Sequence, residues 1–273
     1  MAMDRMSSSV GIVILDMILR DFIAREMKRL RYLWRAVNYR FRVSPREIEF
    51  LGRTLRAGDV TIDVGCHKGG FLFWLRRYVT AAGKVYCFEP QPQLAHYLKE
   101  IVAMRRWDNV VVEDCGVSSS NATMDLFVPA PQGEQSPSAT LAPAGGDEPH
   151  YRISVPVVTL DEYVGKQGRP RIACIKCDCE GHEIEVFKGA AGILRRDRPV
   201  LLFECEGRHL AGSSPQAVFD YLRGFGYRGY FFGPAGLAPV EQFSVEIHQP
   251  LRAGRLLEGQ PYYNNFAFVP AEE

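Results

Sequence analysis

From residue 59 onward, short apolar runs alternate with segments of helical periodicity, and few architectures accept that rhythm. Residues 59–65, 84–89, 110–114, 172–178 and 200–204 read as strands. Several are apolar through their middles, as strands covered on both faces must be. Between them, residues 69–79, 93–104 and 183–194 read as helices, the last placing Ile184, Phe187, Ala191 and Leu194 on one face. Strands joined by helices give a mostly parallel sheet with helices on both faces, a doubly wound α/β fold. Residues 154–158 form a further strand, and 227–232 with 265–269 read as a closing pair. The 273 residues suit one such domain, predicted over 46–273 after a helical extension over 1–45.

In that extension, Ile14, Ile18, Phe22, Ile23, Met27, Leu30 and Trp34 recur at spacings of three to four, from residue 10 to about 36. Arg20, Arg25, Lys28, Arg29, Arg31 and Arg35 lie between them. The favoured expectation is a helix packed on the domain's own core or across its active-site mouth. The competing one is peripheral membrane or subunit contact through a basic amphipathic helix. Residues 129–149, rich in Pro, Gly, Ser and Ala, read as a long loop near the carboxyl edge of the sheet, either a substrate lid or disordered.

A net charge of +1 gives no general attraction for nucleic acid, and none is expected as a partner. The cysteines number seven, an odd count that fits a reducing cytoplasm. In a strand, Cys177 and Cys179 share one face while Cys174 takes the other, which opposes a metal cluster. The longest early apolar run, residues 10–15, is too short to span a bilayer, and no cleavage pattern follows it.

Open α/β sheets bind ligands at the carboxyl ends of their strands, where strand order reverses. The first strand runs out into Asp63-Val64-Gly65-Cys66-His67-Lys68-Gly69-Gly70, where glycines let a ligand approach the backbone. A dinucleotide fingerprint starting at Gly65 needs glycine at position 67, and His67 stands there. That opposes the first alternative, an NAD(P)-dependent oxidoreductase. S-adenosylmethionine carries no phosphate, and Gly65-x-x-x-Gly69 suits its methionine tail. Asp63 is placed to orient the cofactor's ammonium. Glu89, in Phe88-Glu89-Pro90, lies one βαβ step on, where an acid accepts from ribose hydroxyls. Glu113 and Asp114 are assigned to the adenine amino group. The predicted cofactor set is Asp63, Gly65, Cys66, Gly69, Glu89, Pro90, Glu113, Asp114 and Asp178. A non-catalytic nucleoside-binding scaffold is the second alternative; Asp63, Gly65, Glu89 and Asp178 together argue against it.

These residues, followed by Val158-Thr159-Leu160-Asp161 and Ile175-Lys176-Cys177-Asp178-Cys179-Glu180-Gly181-His182-Glu183, resemble the ordered motifs of FkbM-type methyltransferases. The last block is the most specific, the family pattern being Lys-Ile-Asp-Val-Glu-Gly, then His or a small residue, then Glu. Cys177 and Cys179 replace the usual Ile and Val at apolar positions, and His67 with Lys68 replaces an Ala-Asn-like pair. The resemblance covers residues 59–269 and leaves the N-terminal helix outside. It implies a class I methyltransferase fold and S-adenosylmethionine-dependent O-methylation of a sugar, glycolipid or natural-product hydroxyl.

An aliphatic hydroxyl is a poor nucleophile near neutral pH, so its methylation calls for a base or a metal. Candidates gather after the fourth strand: Asp178 at its end, Glu180, His182 and Glu183 in the turn, and Glu204 ending the next strand. His182 is expected as general base, oriented by Asp178 and Glu204. Glu183 and Glu185 complement the helix dipole. A Mg²⁺ held by Asp178 and a neighbouring acid is an additional option, since hard cations take oxygen ligands.

Overall fold

The computed structural model describes residues 2–142, 151–210, 213–252, 255–256 and 259–271. The chain opens with α1 (Ala2–Asn38), a π-helical turn (Tyr39–Val43) and α2 (Pro45–Thr54). Alternation follows through β1 (Val60–Val64), α3 (Leu72–Val79), β2 (Lys84–Phe88), α4 (Pro92–Arg105) and β3 (Val110–Glu113). After β4 (Gly116–Val117), β5 (Ala122–Val128) and β6 (Tyr151–Val158) come α5 (Leu160–Lys166), β7 (Ile172–Cys177), α6 (Glu183–Lys188), α7 (Ala191–Arg196) and β8 (Val200–Glu204). The chain ends with α8 (Pro215–Arg223), β9 (Tyr227–Gly233), β10 (Gly236–Pro239), α9 (Val245–His248), the ribbon β11 (Leu251–Arg252) and β12 (Arg255–Leu256), and β13 (Asn265–Pro270).

The main sheet has the order β10-β9-β13-β8-β7-β1-β2-β3. The pairs β1–β2, β2–β3, β1–β7 and β7–β8 are parallel, while β13 runs antiparallel to both β8 and β9. This is the expected doubly wound, mostly parallel sheet, and the closing strands β9 and β13 do pair. Strand order reverses between β1 and β7, so the crevice between their carboxyl ends is where a ligand belongs.

Each face of the sheet carries its own core. Ile62, Val64, Ile175, Cys177 and Phe203 pack on one face with α6 and α8, through Phe187 and Phe219. Cys174 and Leu202 pack on the other, with Ile48, Leu72 and Leu98 from α2, α3 and α4. All seven cysteines are free, and Cys174 lies across the sheet from Cys177, as strand alternation requires.

One expectation needs correction. The predicted helix 183–194 is two helices. The Asp161 carboxylate accepts from the N–H groups of Gly192 and Ile193 at 2.7 and 2.8 Å, capping α7 as a separate start. Strand β6 belongs to a second sheet, of order β4-β6-β5, with its own small core of Leu126, Val128, Leu141, Val155 and Val157. The 1–45 extension shares the domain's core: Tyr32 and Ala36 are fully buried, and Trp74 donates its indole N–H to Ala36 O at 2.8 Å. The side chains of Ile14 and Ile18, and loop residues 143–149, lie outside the described part. No helix among the described residues is long and apolar enough to cross a membrane.

Candidate active site

At the end of β1 the chain must turn under the ends of two neighbouring strands. Gly65 does so at φ 73°, donating to Phe88 O at 2.9 Å. A Cβ built on Gly65 would sit 1.8 Å from Asp178 O, so no other residue fits. On the β2 side, Glu89 is buried and its two carboxylate oxygens accept from His67 N (2.7 Å) and Gln91 N (3.0 Å). One side chain thus ties the β1 turn to the start of α4. Burial outweighs those bonds and pushes Glu89 up to about 7.

Together these segments wall a cavity of about 220 Å³ at the reversal point. Gly65, Cys66, Glu89 and Pro90 line it, and so do Asp178 and Glu204. Of the predicted set, four residues do not line it. Asp63 is fully buried in β1, with one carboxylate oxygen 3.5 Å from Lys176 Nζ. Gly69 faces Leu98 and Tyr32, and a Cβ there would lie 2.8 Å from Leu98. Glu113 accepts from the Tyr163 hydroxyl at 2.8 Å, and Asp114 pairs with Lys99 at 2.9 Å on an exposed surface. The adenine assignment of these two acids is corrected: Gly116 and Val117, just beyond them, line the cavity instead.

The proposed base is corrected as well. His182 is buried, its Nε2 lies 3.0 Å from the Ser118 hydroxyl, and it does not line the cavity. Burial lowers its pKa, which holds it neutral. The turn before it explains the direction. Glu180 (φ 52°) and Gly181 (φ 98°) both adopt left-handed backbone, which sends Glu180 to the cavity and His182 away from it. Glu183 fastens this turn by accepting from Cys179 N (3.0 Å) and Gly181 N (3.2 Å). Its role is thus more local than a helix-dipole charge.

Glu180, named as a candidate from the sequence, lines the cavity, and among the lining residues that the sequence reading did not assign are Lys176, Tyr39 and His67. Lys176 is the only charged residue of β7 and is buried; that oddity in an apolar strand was the available signal. Its ammonium donates to Gly65 O at 3.2 Å and lies 3.4 Å from Asp178 Oδ2. Burial opposes its charge, yet Asp178 and Asp63 raise its pKa well above the ordinary lysine value. Asp63 therefore anchors Lys176 beneath the loop. Burial pushes Asp63 up to about 6 in spite of that cation. His67, neutral because burial and then Lys68 lower it to about 4, turns Nε2 inward without a partner among the described residues.

The far wall is acidic. Asp178, Glu180 and Glu204 each bring an oxygen within 4.8 Å of the others. His209 Nδ1 meets Glu180 Oε2 at 2.7 Å, and Asn264 donates to Glu204 at 2.7 Å. Burial, then the charges of Asp178 and Glu180, push Glu204 up to about 10. Glu204 thus stays protonated near neutral pH, so its carboxyl can donate a hydrogen bond as well as accept one. Over the top runs the described part of the predicted loop, residues 129–142. Gln91 Nε2 donates to Ser136 O (2.8 Å), Thr140 donates to Glu180 O (2.7 Å), and Pro137, Ala139 and Leu141 face the cavity.

The donor set suits S-adenosylmethionine. Glu89 retains acceptor capacity for a diol, Gly65 leaves room for a close backbone approach, and the acidic wall complements a cation. In fold, the chain is similar to an FkbM methyltransferase from Methylobacillus flagellatus KT (15% identity, TM-score 0.49, covering 92% of this chain and 60% of that one). It is also similar to an S-adenosylmethionine-dependent O-methyltransferase from Thermotoga maritima (15%, TM-score 0.42, 84% and 66%) and an rRNA-methylase-like protein from Clostridium thermocellum (10%, TM-score 0.48, 83% and 94%). The chain thus spans less than two thirds of the length of the first two. No curated protein matches it in sequence. The profile of the FkbM methyltransferase domain matches residues 63–228, more than half of the chain, from Asp63 through β9. With the loop of β1, the acid of β2 and the block after β7 all inside that match, the chain belongs to the FkbM family of S-adenosylmethionine-dependent methyltransferases.

Proposed function

We propose that the protein methylates a hydroxyl oxygen of a small polyhydroxylated acceptor, a saccharide, glycolipid or secondary metabolite. The observation that carries this reading is the placement of Asp178, Glu180 and Glu204 in the same cavity as the Gly65 turn and Glu89. When bound, the cofactor supplies an electrophilic methyl group on a sulfonium. Glu89 and the Gly65 turn hold the donor end of the cavity. The carboxylates opposite accept hydrogen bonds from neighbouring hydroxyls of the acceptor, and Asp178 or Glu180 takes the proton the reacting hydroxyl releases. Burial strengthens each of these bonds.

The test uses the full chain with methyl-labelled S-adenosylmethionine and a panel of saccharides, glycolipids and glycosylated metabolites. Label is expected in an ether methyl group located by mass spectrometry. Label only on nitrogen or carbon, or cofactor binding with no transfer to any hydroxyl, overturns the reading. Repeating the reaction with EDTA tests the Mg²⁺ option; unchanged turnover removes the ion.

A further inference from the structure

The long N-terminal helix carries a face that the domain leaves open. Of the twelve large hydrophobic side chains exposed among the described residues, ten lie between Met17 and Val43. A helix turns about 100° per residue, so Leu19, Ile23, Met27, Leu30, Trp34 and Val37 fall within one arc of about 80°. Buried Tyr32 and Ala36 mark the opposite side. From that side Lys28 reaches Glu100 at 2.6 Å and Arg35 reaches the Tyr97 hydroxyl at 3.3 Å. The stripe therefore points away from the domain, with Leu30 57% and Trp34 66% exposed. A continuous stripe of this kind marks an interaction surface, unlike scattered single hydrophobics.

Charge selects the occupant. Residues 16–43 hold eight Lys and Arg against three Asp and Glu, a surplus of five in a chain whose net charge is +1. Two copies packed stripe to stripe would bring both surpluses together, which is repulsive. An anionic lipid surface gains from the same charges. Trp34 and Phe41, 66% and 68% exposed, stand where aromatic rings settle at headgroup level. Arg20 and Arg31 are exposed and flank the stripe, the pattern of a helix lying along a membrane rather than crossing it, while Arg25 and Arg29 lie on the opposite side.

We propose that residues 17–43 dock this protein on an anionic phospholipid surface, the apolar stripe entering the headgroup region and the flanking arginines meeting lipid phosphates. The docked segment continues directly into the cavity wall, because Tyr39 lines it. The inference is independent of which acceptor is methylated.

Sedimentation of the full chain with vesicles tests it. Binding is expected to equimolar phosphatidylcholine–phosphatidylglycerol, to fall as salt rises, and to be weak with phosphatidylcholine alone. The double variant L30E/W34E should weaken that binding by more than about tenfold, since two large side chains leave the lipid. Circular dichroism and the thermal shift given by S-adenosylmethionine should stay as in the parent, because both positions face away from the core. A milder variant, W34A, should show a partial loss and, in the parent, Trp34 emission should move to the blue on vesicles. Equal binding by L30E/W34E, no preference for anionic lipid, or a concentration-dependent dimer abolished by L30E/W34E without vesicle binding overturns the proposal.

Discussion

Glu89 does two jobs with one carboxylate, holding a turn and offering acceptors to a ligand. Glu89→Gln turns one acceptor into a donor facing a backbone N–H. It is expected to cost about 1–3 kcal/mol of stability and to abolish measurable S-adenosylmethionine binding in calorimetry; wild-type affinity in this variant would remove Glu89 from the site. Glu180→Gln should lower kcat by about 10²–10⁴ while cofactor affinity stays near the parent's, whereas His182→Ala should leave kcat within a few fold. Steady-state kinetics of the pair decides between the two residues. Ionisation adds a pH dependence. Burial raises the folded pKa of Asp63 from 3.8 to about 6, and of Glu89 and Glu183 from 4.5 to about 7. Such groups contribute full stability below their unfolded values and lose it as pH climbs through the folded ones. The ligand-free melting temperature is therefore expected to fall between about pH 4 and about pH 7, the three acids outweighing the opposite slope of His67 and His182, with Glu204 extending the decline; a rise across that window contradicts the assignment. At this scale the sequence disclosed which residue types sit at strand ends, so Gly65, Glu89, Asp178 and Glu204 were legible. It did not disclose direction. Two left-handed residues rotate the chain between Glu180 and His182, and nothing in adjacency along the sequence records such a rotation.

The strands were readable because a strand covered on both faces has to be largely apolar, and β1, β2, β7 and β8 are so apart from Thr61, Asp63, Lys84, Lys176 and Glu204. Strand β5 escaped notice because one side of it is exposed and its pattern, with Thr123, Met124 and Asp125 open or half-open, mimics a loop. The end of α6 was hidden for a different reason: the cap that starts α7 comes from Asp161, some thirty residues earlier in the chain. Close contact between elements also limits substitution. Gly65→Ala drives a methyl group into Asp178 O and places alanine at φ 73°. It should separate the ends of β1 and β7 and cost more than about 3 kcal/mol, measured by urea unfolding; a loss below about 1 kcal/mol would show that the two strand ends are not in contact.

Over the whole molecule, the N-terminal helix is half structural and half exposed. Tyr32, fully buried, meets Phe73 and Trp107 edge-on at 6.3 and 6.0 Å, and its hydroxyl has no hydrogen-bond partner among the described residues. Tyr32→Ala should thus cost about 3–5 kcal/mol, while Tyr32→Phe should be neutral or stabilising by up to about 1 kcal/mol. Thermal denaturation of both variants tests whether the helix end belongs to the folding unit; a Tyr32→Ala protein as stable as its parent would show that it does not. The periodicity of this helix was visible in the sequence, but which of its faces the domain covers was not, because both faces carry large hydrophobic side chains. A last consequence follows from the small β4-β6-β5 sheet, which has its own core and reaches the cavity through the strap that ends in Thr140 and Leu141. Its β5–β6 hairpin keeps an interior of its own while Val117 of β4 packs inside the main core, so the height of the strap above the cavity is set by two interiors at once.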